Sequence, residues 1–258
     1  MDRAVFERLD ALEGEHWWFA ARRDILGHVL ERLSRRAGLE TPRILEAGCG
    51  TGGNLAMLSG LGTVEAFEHD EAALAVARGK APDLRLEQGT LPHALPAVQA
   101  RHDFVVAFDV IEHVERDRDS LAALRTRLKP GGALVMTVPA WPSLWSRHDE
   151  THHHFRRYTP AHLRAELEAA GYAVEHLGCY NTLLFPAVVA MRALKRWTGR
   201  EDADDAMPSP FLNRLLRRVF AFERHWIGRI PMPFGVSLIA VARPAGAAAP
   251  VTDVLAPA

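Results

Sequence analysis

The chain has 258 residues, 48% hydrophobic and 24% charged. It is long enough for one large α/β domain with an elaboration and not for two domains of equal size. A formal net charge of −1 gives no global attraction to nucleic acid, so no nucleic-acid partner is expected, and two cysteines are too few for a disulfide framework and fit a reducing compartment.

Met1, Asp2 and Arg3 open the chain with mixed charge, so no secretory signal is expected. No apolar run reaches the roughly 18 residues of a membrane-spanning helix. The expected location is the cytoplasm, or the inner face of the membrane as a peripheral protein. Residues 3–37 read as helix from the spacing of Val5, Phe6, Leu9 and Leu12, then Ile25, Leu26, Val29, Leu30 and Leu33, with an interruption at Gly14. Between the halves, His16-Trp17-Trp18-Phe19 either covers a ligand cleft or packs its bulk onto the sheet.

The stretch Ile44-Leu45-Glu46-Ala47-Gly48-Cys49-Gly50-Thr51-Gly52-Gly53 runs an apolar strand into a glycine turn that opens a helix. Such glycines reach positive φ and let a ligand approach the backbone, and the helix presents free N–H groups to it. Gly48, Gly50 and Gly53, with Glu68 about 20 residues on, also satisfy the dinucleotide fingerprint. Glu46 weighs against that reading, because its carboxylate repels a pyrophosphate and suits the amino group of a methionine moiety. Cys49 reads as a small filler.

From Arg43 strands alternate with helices: strands at 43–48, 63–68, 84–88, 103–109 and 132–138, helices at 53–60, 70–79 and 117–129. This alternation implies a parallel sheet covered on both faces, with ligands beyond the carboxyl ends of the strands. Lys129-Pro130-Gly131-Gly132 reads as a helix stop and tight turn. A helix at 160–171, with Thr159 as N-cap and Pro160 in its first turn, precedes a strand near 173–178. Residues 180–232 interrupt the alternation with two apolar, arginine-bearing helical stretches that read as a hairpin. Strand character returns at 234–243.

With Glu46 to Gly52, Asp109-Val110-Ile111-Glu112-His113-Val114 and Leu128-Lys129-Pro130-Gly131-Gly132 in this order, the chain resembles the class I S-adenosylmethionine-dependent methyltransferases of bacterial small-molecule type. The resemblance covers residues 40–180 and the last strand. It implies a doubly wound, mostly parallel seven-stranded sheet of the Rossmann-like kind with an antiparallel last strand. An N-terminal helical cap (1–40), a cofactor core (41–179), a helical insertion (180–232) and a last strand (233–243) would form one domain, and 244–258 a disordered tail.

The resemblance also implies S-adenosyl-L-methionine as cofactor, with Glu46, Gly48, Cys49, Gly50, Thr51 and Gly52 at its methionine end and Glu68 on the ribose hydroxyls. Gly89 would stand near the adenine, where family members often carry an acidic residue and this chain has Thr90. Asp109 would face the methyl group, with His113 in the same cleft.

Methyl transfer needs alignment and exclusion of water, not an enzyme nucleophile. A hydroxyl or ammonium acceptor must also lose a proton, for which histidine is well poised. The segment Arg147 to Tyr158 supplies the candidates: His154 as catalytic base beside Asp109 and His113, and Arg156, Arg157, Tyr158 and Trp141 as substrate contacts. His152-His153-His154 with Asp149 and Glu150 invites a metal. Adjacent residues diverge, however, and no second ligand cluster is evident, so no metal is expected.

The insertion places Arg192, Lys195, Arg196, Trp197, Arg214, Arg217 and Arg218 among apolar residues. Such helices suit an anionic membrane surface through 182–229, a lid over a lipid- or quinone-like acceptor, or a contact between helices or subunits. The expected activity is methyl transfer to a small acceptor, oxygen preferred. The rivals are a nicotinamide-dependent oxidoreductase and a non-catalytic scaffold with the same fold.

Overall fold

The structure is a computed structural model that describes residues 10–97, 100–198, 207–246 and 255. Its strands are β1 (Arg43–Ala47), β2 (Thr63–Glu68), β3 (Arg85–Gln88), β4 (His102–Phe108), β5 (Leu128–Pro139), β6 (Tyr172–Tyr180) and β7 (Ser237–Pro244). They form one sheet in the order β3-β2-β1-β4-β5-β7-β6. The first five run parallel to one another, and β7 lies antiparallel between β5 and β6. The doubly wound sheet expected from the alternation is present. Chain order runs outward from β1 toward β3 and in the opposite direction from β4 toward β5. The order therefore reverses between β1 and β4, and the crevice at their carboxyl ends is where such sheets bind ligands.

Both faces of the sheet are buried, as near-continuous apolar strands require. On one face Ile44, Val64, Phe104 and Val106 pack against Ile25, Leu26 and Val29 of helix α1 (Trp17–Arg36). On the other, Leu45, Val105 and Ala107 pack against Leu121 of helix α4 (Asp117–Arg125) and Leu163 of helix α6 (Pro160–Ala169). Successive residues of β4 thus serve opposite cores. Helix α2 (Leu55–Ser59) follows the glycine turn, and helix α3 (Glu71–Lys80) is capped by Asp70, which accepts from the N–H groups of Ala72 and Ala73. Thr159 caps α6 by accepting from the His162 N–H, as its sequence position suggested.

Several boundaries differ from the sequence expectation. Residues 10–13 are helical, Gly14 and Glu15 turn, and α1 begins at Trp17 behind the N-cap His16, so the break falls at Gly14; residues 3–9 lie outside the described residues. The helix expected over 117–129 stops at Arg125, and Lys129-Pro130-Gly131-Gly132 lies within β5 and not in a turn before it. The β4–β5 register shifts between His102 and Phe104, and Gly131 at φ 77° gives the strand the local bend that such a bulge needs.

Among the described residues the insertion is not a hairpin packed on itself. Its helix α7 (Phe185–Thr198) reaches the crevice, whereas α8 (Pro210–Phe222) docks on α1. Asn213 Oδ1 accepts from the Trp17 N–H at 2.8 Å, Asn213 Nδ2 donates to the Glu15 carbonyl at 2.8 Å, and Phe220 meets Trp17 edge-on. The α8 surface that sequence assigned to membrane or partner is thus partly spent on the N-terminal helix. Of the acidic linker that the sequence places between α7 and α8, Glu201 to Pro210, residues 201–206 lie outside the described residues, as do 247–254 and 256–258 of the expected disordered tail. Of the described part of that tail, Pro244 ends β7 and Leu255 is fully buried beside Gly228.

Candidate active site

A cavity of about 760 Å³ opens at the β1/β4 crevice, in the upper part of the range of about 300–1,000 Å³ typical of ligand sites. At one end lies the glycine turn. Gly48 has φ 70°, and a Cβ there would stand 2.8 Å from a methyl of Val110, so only glycine fits. Gly50, at φ 54°, has no heavy atom within 4 Å of where its Cβ would be, which leaves its backbone open to the cavity. The Gly50 N–H donates to Glu68 Oε2 at 2.9 Å. Glu68 Oε1 accepts from the N–H groups of His69 and Asp70 and contacts His69 Nδ1 at 2.7 Å. Burial raises the Glu68 carboxyl, but these hydrogen bonds outweigh it and hold it below its usual range. With Oε1 saturated, Oε2 keeps the spare acceptor capacity for a sugar hydroxyl.

Glu46 lies one layer deeper. It is 1% exposed and does not line the cavity, where Asn54 stands instead. Asn54 Nδ2 donates to Glu46 Oε1 at 2.8 Å, and Glu46 Oε2 is buried without a partner. Burial pushes this carboxyl up to about 8. An orphaned carboxylate oxygen behind an open glycine backbone fits a ligand bearing an ammonium group, as S-adenosylmethionine does. Cys49 is buried with its thiol pKa pushed up by burial, so it is a filler and not a nucleophile. Thr51 Oγ1 donates to Glu13 Oε2 at 2.7 Å, which ties the N-terminal segment across the turn. Gly89 and Thr90 also line the cavity.

The aromatic cluster faces the cavity: His16, Trp17, Trp18 and Phe19 all line it. Below them Arg22 stacks its guanidinium 5.0 Å from the Trp18 ring centroid and pairs with Asp109 at 2.9 Å. Burial lowers the Arg22 pKa, yet Asp109 and neighbouring acids raise it further, so the net shift is upward. Asp109 takes φ 56° at the end of β4, a conformation that Asp tolerates better than most residues, and its carboxylate is held in the crevice by Arg22.

The opposite end is built from histidines. His154 Nδ1 lies 2.9 Å from Asp149 Oδ1, and Arg157 Nε donates to the same oxygen at 2.7 Å. The Ser146 N–H reaches Asp149 Oδ2 at 2.8 Å, as part of the capping box of the short helix α5 (Arg147–Thr151). Burial alone would raise the Asp149 carboxyl, but the His154 and Arg157 contacts dominate and hold it well below the carboxylate range. The His113 and His154 rings meet edge to face at 4.5 Å. Burial, with His154 and His152 nearby, lowers His113 to about 3, so it is neutral at ordinary pH. His148, His152 and His153 line the same wall.

Other expected substrate contacts are spent elsewhere. Arg156 pairs with Asp117 at 2.7 Å and donates to the carbonyls of Val114 and Glu115. Tyr158 is fully buried with its hydroxyl on Asp117 Oδ2. Trp141 turns its indole N–H to the Gly235 carbonyl. None of these three lines the cavity; Arg157 does, but its guanidinium is committed to Asp149 and the Ala140 carbonyl. They brace the loop between β5 and α6.

Sequence reading missed Arg22, Asn54 and Glu112. Arg22 was visible as a charge one turn before Ile25 and Leu26 on the apolar side of α1. Glu112 stood inside the motif already quoted, whereas nothing local flagged Asn54.

A family model described as a methyltransferase domain matches residues 18–177. A probable S-adenosylmethionine-dependent methyltransferase of Mycolicibacterium smegmatis is 32% identical over 178 residues, 67% of this chain and 66% of that protein. The ubiquinone biosynthesis O-methyltransferase of Pseudomonas aeruginosa is 31% identical over 151 residues, 54% of this chain and 63% of its own. The chain thus spans just under two thirds of the length of these relatives. Among solved structures, DesVI of Streptomyces venezuelae superposes with a TM-score of 0.59 at 17% identity, over 95% of this chain and 99% of its own, a likeness of fold. With the glycine turn, the strand order and a family match over more than half its length, the chain belongs to the S-adenosylmethionine-dependent methyltransferases.

Proposed function

We propose that this chain transfers a methyl group from S-adenosylmethionine to a hydroxyl of a small acceptor with an apolar body. The observation that carries the reading is the pairing of His154 Nδ1 with Asp149 on the cavity wall, beside the His113 ring and in a cavity that Asp109 also lines. The bound cofactor supplies the electrophilic methyl on its sulfonium. The turn from Gly48 to Gly52, with Asn54 and Glu46 behind it, would hold the methionine end, and Glu68 the ribose. Asp109, fixed by Arg22, would border the reacting centre, and the aromatic wall from Trp17 to Phe19 would exclude water. An acceptor hydroxyl would then lie at the His113 and His154 corner, where its proton is lost.

Apolar lining supports the nature of the acceptor. Phe155, Val188 and Met191 border the cavity, the last two from α7, and the Pseudomonas relative is named for an O-methylation in ubiquinone biosynthesis. Trp197 is 85% and Phe211 71% exposed, which supports docking of the same region on an anionic membrane, the source of a lipid-like substrate. No helix among the described residues is long and apolar enough to cross a membrane.

Methyl-labelled cofactor tests the reading against three acceptors: a prenylated phenol, its amine analogue and the unprenylated phenol. Labelling of the prenylated phenol ahead of both others is expected. Preference for the amine would overturn the oxygen assignment, and equal rates with both phenols the apolar one. Co-sedimentation with anionic vesicles at low salt is the expected companion result; a chain left in the supernatant would remove the membrane.

A further inference from the structure

Glu112, His113 and His154 meet at the acceptor end of the cavity. One donor-capable atom from each lies within 4.8 Å of the other two. The chain brings these residues together through the 3-10 turn after β4 and the loop after α5, and the Phe155 N–H locks the two segments by donating to the Glu112 carbonyl at 2.8 Å.

Two features distinguish this cluster from a chance grouping of polar side chains. Glu112 is buried, yet neither of its carboxylate oxygens has a hydrogen-bond partner. A buried carboxylate without partners is costly, and a bound cation is one of the few ways to satisfy it. The second feature is the support behind His154. Asp149 takes its Nδ1, and Arg157 and Ser146 in turn fix Asp149. A carboxylate behind a ligating imidazole, itself clamped, is the outer support that orients metal-binding histidines. His113 is held by a hydrogen bond to the His152 backbone.

We propose that Glu112, His113 and His154 bind one divalent first-row transition ion, with its remaining positions open to the acceptor's oxygen. Two imidazole nitrogens and one carboxylate oxygen are an ordinary donor set for zinc, iron or manganese, and a site with three protein ligands is of the open kind. Donors at about 2.0–2.2 Å from a common ion stand about 3.5 Å apart, so the side chains need close by no more than about 1.3 Å on binding. Of the neighbouring charges, Arg22 is paired with Asp109 and Arg157 with Asp149, so neither cation occupies the position itself. The expectation that the chain binds no metal, drawn from the divergence of His152, His153 and His154, missed that the second cluster is Glu112-His113. A hydroxyl held at the cation would lose its proton more readily, the proton passing to solvent water in the open cavity, and His154, which the sequence suggested as base, would then act as a ligand. This consequence rests on the oxygen-acceptor reading, whereas the binding of the ion does not.

The test uses the untagged full chain, stripped with a chelator and titrated with zinc and, separately, with manganese. One zinc per chain is expected, with manganese weaker. Glu112→Gln and His154→Ala should each weaken zinc at least tenfold while the thermal shift given by S-adenosylhomocysteine persists as the check on folding; His113→Ala stands in for a variant that does not fold. His153→Ala, outside the triad, should bind zinc as the parent chain does. Absence of zinc binding, or variants that bind as tightly as the parent, would overturn the site. Zinc at the triad in a chain that methylates only amines would uphold the site and remove the oxygen reading. Full phenol methylation by the metal-free chain would overturn the role given to the ion.

Discussion

The two ends of the cavity are made in different ways. The end that we assign to the cofactor is one continuous turn, Gly48 to Asn54, in which backbone N–H groups and open φ angles are presented to the cavity and a single carboxylate, Glu68, is locked by the backbone around it. The acceptor end is a mosaic of side chains: Arg22 from α1, Asp109 to His113 after β4, and Asp149, His154 and Arg157 from the loop after β5. The difference teaches that one end is written in local backbone geometry. The part that sets the acceptor depends on distant side chains that buttress one another.

The sharpest way to separate the ends is His154→Ala. Whether His154 takes the acceptor's proton or ligates the ion, its loss should reduce turnover at least about tenfold and leave the S-adenosylhomocysteine thermal shift intact; a lost shift would mean that the two ends are one unit. Asp149→Asn probes the mosaic itself. Removing the charge that pairs with buried Arg157 should cost about 3–5 kcal/mol in chemical denaturation. Because Asp149 is held below its ordinary range, its contribution is present above about pH 4 and is lost only as pH falls further. Gly48→Ala is the counterpart at the cofactor end. Left-handed strain and the displaced Val110 should cost about 2 kcal/mol or more, and the thermal shift should vanish while isolated zinc binding remains.

Glu46 has the opposite sign to Asp149. Its carboxyl is raised from 4.5 to about 8 by burial, so the folded chain holds this proton more tightly than the unfolded one, and stability falls as pH rises from about 4.5 to about 8. Glu46→Gln should flatten that fall in denaturant titrations across the window. Arg156→Ala should do least. Its partly exposed pair with Asp117 is worth about 1 kcal/mol or less, with rate and KM for the acceptor unchanged; a large rise in KM would return Arg156 to the role of anchor that the sequence suggested.

Much of this was legible in the residues. The spacing of apolar positions and the order of turn signals determined a mostly parallel α/β sheet, and Gly48 to Gly52 marked the glycine turn at the mouth of the cavity, because close backbone approach demands glycine at particular positions whatever surrounds them. Thr159 with Pro160 marked a helix start for an equally local reason. Tertiary structure decided the rest. Whether an arginine binds substrate or braces a loop depends on which carboxylate the fold brings beside it, and that assigned Arg156 to Asp117 and Arg157 to Asp149. In the same way α8 was drawn onto α1 and α7 left at the cavity, since an amphipathic face specifies burial but not its partner. Glu112 joined His154 only because β4 and β5 are neighbours in the sheet. Backbone conformation is set by a few adjacent residues and can be read from them, whereas a side chain's role is set by what lies across the fold.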